Sequence, residues 1–387
     1  MSISSDSSQS LGRSKRSAHI EIDLGAIAHN VATLSAQVAP SRFMAVVKAD
    51  AYGHGAVPVA EVALASGADC LAVALVQEGI DLRRAGIEAP ILVLSEQPDS
   101  QIGDIVSHGL IATVYSVPFI DALEREVRQR NVDGQQVHLK IDTGMNRVGV
   151  HPMEAVERAG RIIACGPWLT LTGLYTHFAT ADDVESTFAA EQLRRFESVH
   201  DGLQRAGIDV ETVHAANSAG AFVLPESRLD MVRFGISVYG IAPSESLENM
   251  CATLRPALSL KSNVSYVKRV RVGEGVSYGS RYRCATSTTI ATVPIGYADG
   301  IARRSGLAGV EVLIGGRRHP IVGVVTMDQL MVDVGDLEVA VGDEVVLIGE
   351  QGDDRISAND IAHRLGTIGY EVVCALSERL PRRYIET

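Results

Sequence analysis

The strongest constraint on the fold of this chain is an alternation from about Phe43 to Ile236, in which short apolar runs give way to longer stretches with helical spacing. The runs are Phe43–Val47, Cys70–Leu75, Ile91–Leu94, Ile111–Tyr115, Val137–Ile141, Leu169–Thr176, Thr212–Ala215 and Met231–Phe234. Most are almost continuously apolar, as strands of a parallel sheet must be when both faces are covered. Between them, Val57–Ser66, Val117–Arg130, Pro152–Ala164 and Glu185–Ala206 set apolar residues on one helical face and charges on the other. Eight strand–helix units in about 200 residues fit a compact (β/α)8 barrel better than a doubly wound open sheet. The open sheet is the main alternative, but no GxGxxG opens the first helix.

After about Ala242 the texture changes. Leu258–Val272, Thr288–Ile295, Val310–Ile314, Ile321–Val325, Leu330–Val334 and Glu344–Ile348 read as strands, with turns at Gly315-Gly316 and Gly342-Asp343. Helical spacing returns only at Asp360–Leu365. The expected organisation is α/β: a disordered tail over 1–17, a barrel over 18–242 and a mostly-β domain over 243–387.

Composition narrows the function classes. A net charge of -12 without a long basic stripe argues against gripping nucleic acid or an anionic membrane. No apolar run approaches the ~20 residues needed to span a bilayer, and the serine-rich start lacks the apolar centre of a secretory signal. The five cysteines (Cys70, Cys165, Cys251, Cys284, Cys374) are odd in number, scattered and without a CxxC pair. That favours a reducing cytoplasm over a disulfide framework or zinc site. No histidines show metal-ligand spacing, so no metal is expected.

In a parallel barrel the strand C-termini form the active face, and the unusual polar residues collect there. Lys48 ends the first strand. Asp142–Arg147 follows the fifth and His177 ends the sixth, while His214, Asn217 and Ser218 lie at the end of the seventh and Arg233, Gly235 and Ile236 at the end of the eighth. A lysine at the end of a buried strand is costly unless its amine is used, for an ion pair, a phosphate contact or a Schiff base. The last two loops of such a barrel commonly bind phosphate. Here they offer the Ser218 hydroxyl and the amides around Ala219, Gly220, Gly235 and Ile236, with a helix beginning after Asn217. An amine at the first strand and a phosphate at this corner suggest a phosphorylated aldehyde, with pyridoxal 5′-phosphate the obvious candidate. His54 reads as part of the turn after the first strand. His214 reads either as a satisfied strand-end histidine or as part of the site, and Asp142 as an organiser of its loop.

The segments Val47–Gly55, Lys140–Gly149, Thr176–Ala179, Asn217-Ser218, Val232–Ile236, Val276–Gly279, Ile295–Gly300, Met327–Gln329 and Gly369–Glu371 together resemble the alanine racemase family. The likeness runs over nearly the whole chain apart from the tail. It implies that Lys48 holds pyridoxal 5′-phosphate covalently and serves as one base. It also implies that Tyr278, in the β domain, is the opposite base and reaches the barrel mouth of a partner subunit, making a homodimer with shared active sites. Arg233 would hydrogen-bond the pyridine nitrogen with His177 behind it. Tyr52, Asn217, Ser218, Gly235, Ile236 and Tyr370 would hold the phosphate end. Arg147 and the backbone at Met327 would hold the substrate carboxylate, and Asp328, Tyr297 and Tyr370 would shape the entrance. Lys140 matches a position that can be carbamylated.

The chemistry suits such a set. Racemisation removes the α-proton on one face and returns one on the other, so two bases on opposite faces avoid turning the substrate. Lysine and tyrosine ordinarily titrate at about 10.4 and 10, so both need neighbouring cations to work near neutrality. An arginine at the pyridine nitrogen gives up no proton, which favours quick reprotonation over transamination. The expectation is interconversion of L- and D-alanine, a small amino-acid substrate, with D-alanine feeding peptidoglycan. The alternatives are a broader racemase acting on serine or longer side chains, a decarboxylase of the same architecture, and a non-catalytic pyridoxal phosphate carrier.

Overall fold

The computed structural model describes residues 16–387. The expected tail, 1–17, therefore lies outside the described residues except for Arg16 and Ser17. Cα packing divides the described chain into two units. One comprises residues 21–259, 356–376 and 384–387; the other comprises 16–20, 260–355 and 377–383.

The first unit is built on eight parallel strands: β1 (Arg42–Val46), β2 (Cys70–Val73), β3 (Ile91–Val93), β4 (Ile111–Val114), β5 (Gln135–Lys140), β6 (Leu169–Tyr175), β7 (Thr212–His214) and β8 (Met231–Phe234). The strands pair in chain order, and β8 returns to pair with β1, Phe43 opposite Val232 and Ala45 opposite Phe234. At the remaining seam, β7 and β8 are linked by Asp230 N–H to Val213 O and Arg233 N–H to Ala216 O, both 3.1 Å. The barrel is thus nearly closed, and all eight expected strands are present. Phe43 and Phe234, fully buried neighbours on β1 and β8, stack at 4.8 Å. Burying each phenyl ring favours folding by about 1.5–3 kcal/mol.

The helices between strands fall where the apolar spacing predicts, at Ala56–Ala65, Val117–Gln129, Ala155–Ile163 and Phe188–Arg205. Ser116 caps Val117–Gln129, and its buried stripe is Phe119, Ile120, Leu123 and Val127. A helix absent from the sequence reading, Leu24–Val38, precedes β1. Asp23 caps it through the Ala26 amide at 3.0 Å, and Ile27, Val31, Leu34 and Val38 form its buried stripe.

The second unit is built on a sheet that includes β9 (Leu258–Asn263), β10 (Tyr266–Val270), β11 (Thr288–Val293), β12 (Glu311–Ile314), β13 (Arg317–Val322), β14 (Leu330–Gly335) and β15 (Glu344–Gln351), in the order β10-β11-β14-β13-β12-β15-β9, continuing past β9 to the strands His19–Asp23 and Arg382–Ile385. Two expectations need correcting. The run Leu258–Val272 is two strands, because the Val264 amide bonds Asp343 O while the next amide, Ser265, bonds Thr292 O, each at 2.8 Å. The chain there leaves β15 for β11, at the other end of the sheet. The strand expected at Ile321–Val325 instead begins at Arg317 and ends at Val322, its first half polar and largely exposed. It pairs with β12 through the Gly315-Gly316 turn, where both residues have positive φ (60° and 72°), as a two-residue hairpin requires. Among the described residues, no helix is long and apolar enough to cross a membrane.

Candidate active site

The segment after β1 is strained in a way its sequence does not advertise. Ala49, Asp50, Ala51 and Tyr52 all have φ between 52° and 55°, a left-handed turn made of non-glycine residues. Each such residue costs about 1–2 kcal/mol, so the turn must be held from outside. Glu78, which sequence reasoning missed, accepts from the Ala49 amide with one carboxylate oxygen (2.6 Å) and from the Ala74 and Leu75 amides with the other (2.8 and 3.0 Å). Asp50 accepts from the Ala56 amide at 2.8 Å. The buried His54 donates from Nδ1 to the Ala51 and Tyr52 carbonyls, each at 3.0 Å, while its ring lies 4.4 Å from that of Tyr239. His54 is structural, as its place in the turn suggested. Strain of this kind persists only where its surroundings over-determine it, and here it sits beside Lys48.

The turn brings Tyr52 inward against Tyr239 (5.0 Å between rings) and Tyr370 (6.0 Å). The Tyr52 hydroxyl reaches Gly235 so closely that a Cβ there would lie 2.5 Å from it. Gly235 also donates its amide to the Ser218 hydroxyl at 3.0 Å. Asn217 caps the short helix Ser218–Val223 by accepting from the Gly220 amide at 2.9 Å. Tyr52, Ser218 and Gly235, with Ile236 next in the chain, therefore make one polar corner at the ends of β1, β7 and β8.

The centre of the mouth is cationic. Lys48 is pulled below its ordinary range, first by burial and then by Arg147, against the opposing influence of Glu78 and Cys374. Lys140, at the end of β5, is lowered to about 7 by burial, then by Arg147 and Arg233, with Asp142 raising it and Lys48 lowering it further. Its ammonium lies over the Tyr175 ring at 5.3 Å. Asp142 folds the loop bearing the exposed Arg147 by accepting from the Gly144 and Asn146 amides, both at 3.0 Å. Lys140, Asp142, Met145, Arg147 and His177 line one narrow crevice.

Arg233 is buried and fully engaged. Its guanidinium donates to the carbonyls of Thr176 (2.7 Å), Ala215 (2.8 Å) and His214 (3.3 Å) and to His214 Nδ1 (2.9 Å). Burial lowers it only to about 10, so it remains a cation at neutral pH. The nearer histidine is His214; His177 Nδ1 lies at 3.4 Å. Since Arg233 can only donate, His214 Nδ1 accepts, and its Nε2 carries the proton and donates to His138 Nδ1 at 3.0 Å. The His214 ring stacks on Tyr175 at 4.8 Å. Burial first, then Arg233, holds His214 and His177 well below the usual imidazole range. His138 is pushed down to about 3 by burial, Arg42 and Arg233. His214 was one of two open readings from sequence. His138 carried no local signal, because its partner His214 lies far along the chain on β7, a strand not paired with β5.

Tyr278, Tyr297, Met327 and Asp328 belong to the other unit. Tyr297 and Met327 share a backbone junction: the Tyr297 amide donates to Thr326 O (2.9 Å) and the Ala298 amide to Met327 O (3.0 Å). Asp328 pairs with Arg379 at 2.7 Å, and Arg379 also meets the fully buried Asp299 at 3.3 Å. Tyr278 sits in a hairpin loop with its side chain 70% exposed, and Met327 is 53% exposed. The structure therefore gathers the expected barrel residues into one mouth and places the expected second-unit residues on that unit's surface. Among the described residues no group of three or more His, Cys, Asp or Glu could hold a metal.

Known proteins place this arrangement. The family model "Alanine racemase, N-terminal domain" matches residues 22–243, and "Alanine racemase, C-terminal domain" matches 257–384. An alanine racemase of Symbiobacterium thermophilum is 47% identical over 365 residues, covering 94% of this chain and 96% of that protein. Alanine racemase 1 of Bacillus subtilis is 43% identical, covering 95% and 92%. Among solved structures, the alanine racemase of Bacillus anthracis with bound L-Ala-P superposes with a TM-score of 0.90 at 41% identity, covering 96% of each chain. That of the D-cycloserine producer Streptomyces lavendulae gives 0.92 at 36%, covering 96% of this chain and 98% of that one. The chain belongs to the alanine racemase family.

Proposed function

We propose that this protein interconverts L- and D-alanine with pyridoxal 5′-phosphate, as a cytoplasmic homodimer whose sites are completed by Tyr278 of the opposite protomer. The observation that carries the reading is the barrel mouth, with its polar corner at one end and its cluster of cations at the centre. The residues fit the cofactor on three counts. The Tyr52 and Ser218 hydroxyls, the backbone at Gly235 and Ile236, and Asn217 and Tyr370 around them would hold the phosphate; a side chain at Gly235 would fill this corner. Lys48 would take the aldehyde carbon through an amine that burial and Arg147 make easier to deprotonate. Arg233 would face the pyridine nitrogen as a donor that keeps its protons, oriented by His214 and His177. When bound, the cofactor supplies a sink for the electron pair left on the α-carbon.

The rest of the work falls to side chains of this protein. Arg147 and the Met327 backbone hold the substrate carboxylate, which fixes the α-carbon between two proton-transfer groups. Lys48 Nζ serves one face and Tyr278 Oη the other. In one direction Tyr278 takes the α-proton as a phenolate and the Lys48 ammonium gives one back; in the other the roles exchange. Each turnover leaves the two groups with their proton swapped, to be reset by proton exchange with solvent before the next turnover in the same direction. Asp328, Tyr297 and Tyr370 crowd the entrance and favour a small side chain. Lys140, with an amine near half-deprotonated at neutrality, is suited to capture carbon dioxide as a carbamate, releasing a proton and placing an anion beside Arg147. D-alanine from this reaction would supply peptidoglycan synthesis.

The test is to incubate cofactor-loaded protein with L-alanine in deuterated water and separate the enantiomers by chiral chromatography. D-alanine carrying α-deuterium is the expected result. No D-alanine from protein with bound cofactor would overturn the reading, and serine and longer amino acids, then the carrier reading, would be tried next.

A further inference from the structure

The loop bearing Tyr278 is held by a hydrogen bond with no other evident purpose. Its hairpin has two strands of two residues each, Gly275-Val276 and Tyr282-Arg283, forming a ribbon of their own apart from the large sheet. A two-stranded ribbon is marginal by itself in water, so side chains must fix it. Val276 and Cys284 are buried with Val270, Ile290 and Val322, and the Tyr282 ring packs against this cluster. Ahead of Tyr278, the Ser277 hydroxyl donates to Val324 O at 2.6 Å. Beyond it, the Tyr282 hydroxyl donates to Asp333 Oδ2 at 2.5 Å. Val276 pairs with Tyr282, so residues 277–281 form a loop pinned on both limbs.

The acceptor is a rigid one. Asp333 lies within β14, opposite Ile290 on β11, and its other oxygen accepts from the Thr288 hydroxyl and from the Gly335 amide at 3.0 Å. Burial tends to raise the Asp333 carboxyl, but hydrogen bonds from Thr288, Tyr282 and Gly335, with His319 nearby, outweigh it and hold it below the usual range. Burial and the Asp333 charge push the Tyr282 phenol up. Tyr282 therefore stays a donor and Asp333 a carboxylate, which makes a short, charge-assisted bond.

We propose that Tyr282 and Asp333 are positioning residues, which fix the hairpin so that the Tyr278 hydroxyl meets the substrate α-carbon. The inference rests on the reading of Tyr278 as the second proton-transfer group. A proton-transfer group loses most of its effect when displaced by about an ångström, and the exposed Tyr278 takes its place from a two-residue ribbon pinned by the Ser277–Val324 bond on one limb and the Tyr282–Asp333 bond on the other. Tyr282→Phe is the sharp variant, since it keeps the ring in its cluster and removes only the hydroxyl.

The experiment uses cofactor-loaded protein and measures kcat and the α-deuterium isotope effect for each enantiomer of alanine, together with amide exchange over the second unit. In Tyr282→Phe, kcat falls by about tenfold and the two isotope effects diverge. The effect rises for the enantiomer whose proton Tyr278 removes, and falls for the other, whose removal by Lys48 no longer limits the rate. Exchange quickens over residues 275–283 and is unchanged over 288–293. Asp333→Asn shows the same divergence to a smaller degree, because the amide oxygen can still accept from Tyr282. Isotope effects that stay equal, or a rate loss without faster exchange in the hairpin, would overturn the proposal. So would a Tyr282→Phe protein that fails to fold, since the bond is assigned to the hairpin and not to the core. If the parent protein racemises nothing, the alanine reading itself fails, and the exchange result alone decides whether this bond anchors the hairpin.

Discussion

The barrel mouth and the second unit's candidate site residues are built by opposite means. In the mouth, Arg233, His214 and His138 are buried and bonded to one another or to backbone carbonyls, and Lys140 is buried over the Tyr175 ring. All four are shifted in their titration by burial, and the two histidines and Lys140 by neighbouring cations as well. In the second unit, Tyr278 and Met327 project from the surface, and it is their neighbours, such as Ser277 on Val324 O and Tyr282 on Asp333, that are fixed. Buried functional groups are coupled to the stability of the fold; exposed ones are not. Function and stability should therefore fall together in the mouth and separate in the second unit.

Lys48→Ala gives the largest expected effect: a loss of racemase activity of roughly a thousandfold or more, since on the proposed reading it removes both a proton-transfer group and the covalent hold on the cofactor. The initial rate of D-alanine formation measures it. Tyr278→Phe should lower kcat by about a hundredfold or more. Its thermal midpoint should stay at the parent value, because an exposed hydroxyl contributes little to folding. A large drop in midpoint would break the comparison. Arg233→Ala should lower activity and stability together. Left without its donor, a buried cluster of three carbonyls and a histidine loses about 2–4 kcal/mol, read as a lower denaturant midpoint.

The most gradual effect concerns acid. His138 titrates at about 3 in the folded protein against an ordinary value of 6.5, so the unfolded chain binds more protons between those values. Stability is complete above about pH 6.5 and declines as pH falls toward the folded-state value, by on the order of 1 kcal/mol per pH unit for one such histidine. His138→Asn should flatten that acid slope in thermal melts, whereas Tyr278→Phe should leave it unchanged.

The same contrast explains what the sequence could disclose. The barrel strands were legible because burial on both faces makes them continuous apolar runs, and Lys48, Arg147 and Arg233 stood out by ending or following such runs. β13 was hidden because its exposed first half, Arg317–Pro320, carries no apolar signal. The break at Val264-Ser265 depends on which strands the two amides find, a tertiary fact. Glu78 resembles an ordinary helix-start carboxylate until the strained turn beside it is seen. The packing of residues 356–376 with the barrel unit likewise depends on contacts distant in sequence. Tyr278 is the extreme case: without the family resemblance, a tyrosine in a glycine-flanked turn gives no sign of chemistry.

The central claim is that Lys48 and Tyr278 meet across two protomers, and mixing tests it most directly. Lys48→Ala and Tyr278→Phe proteins, each nearly inactive, are unfolded together, refolded and assayed for D-alanine. If the sites are shared, each mixed dimer regains one intact site, and random assortment restores about a quarter of the parent activity. If activity stays at the level of the separate variants although mixed dimers form, Lys48 and Tyr278 do not act together across protomers, and the account is wrong.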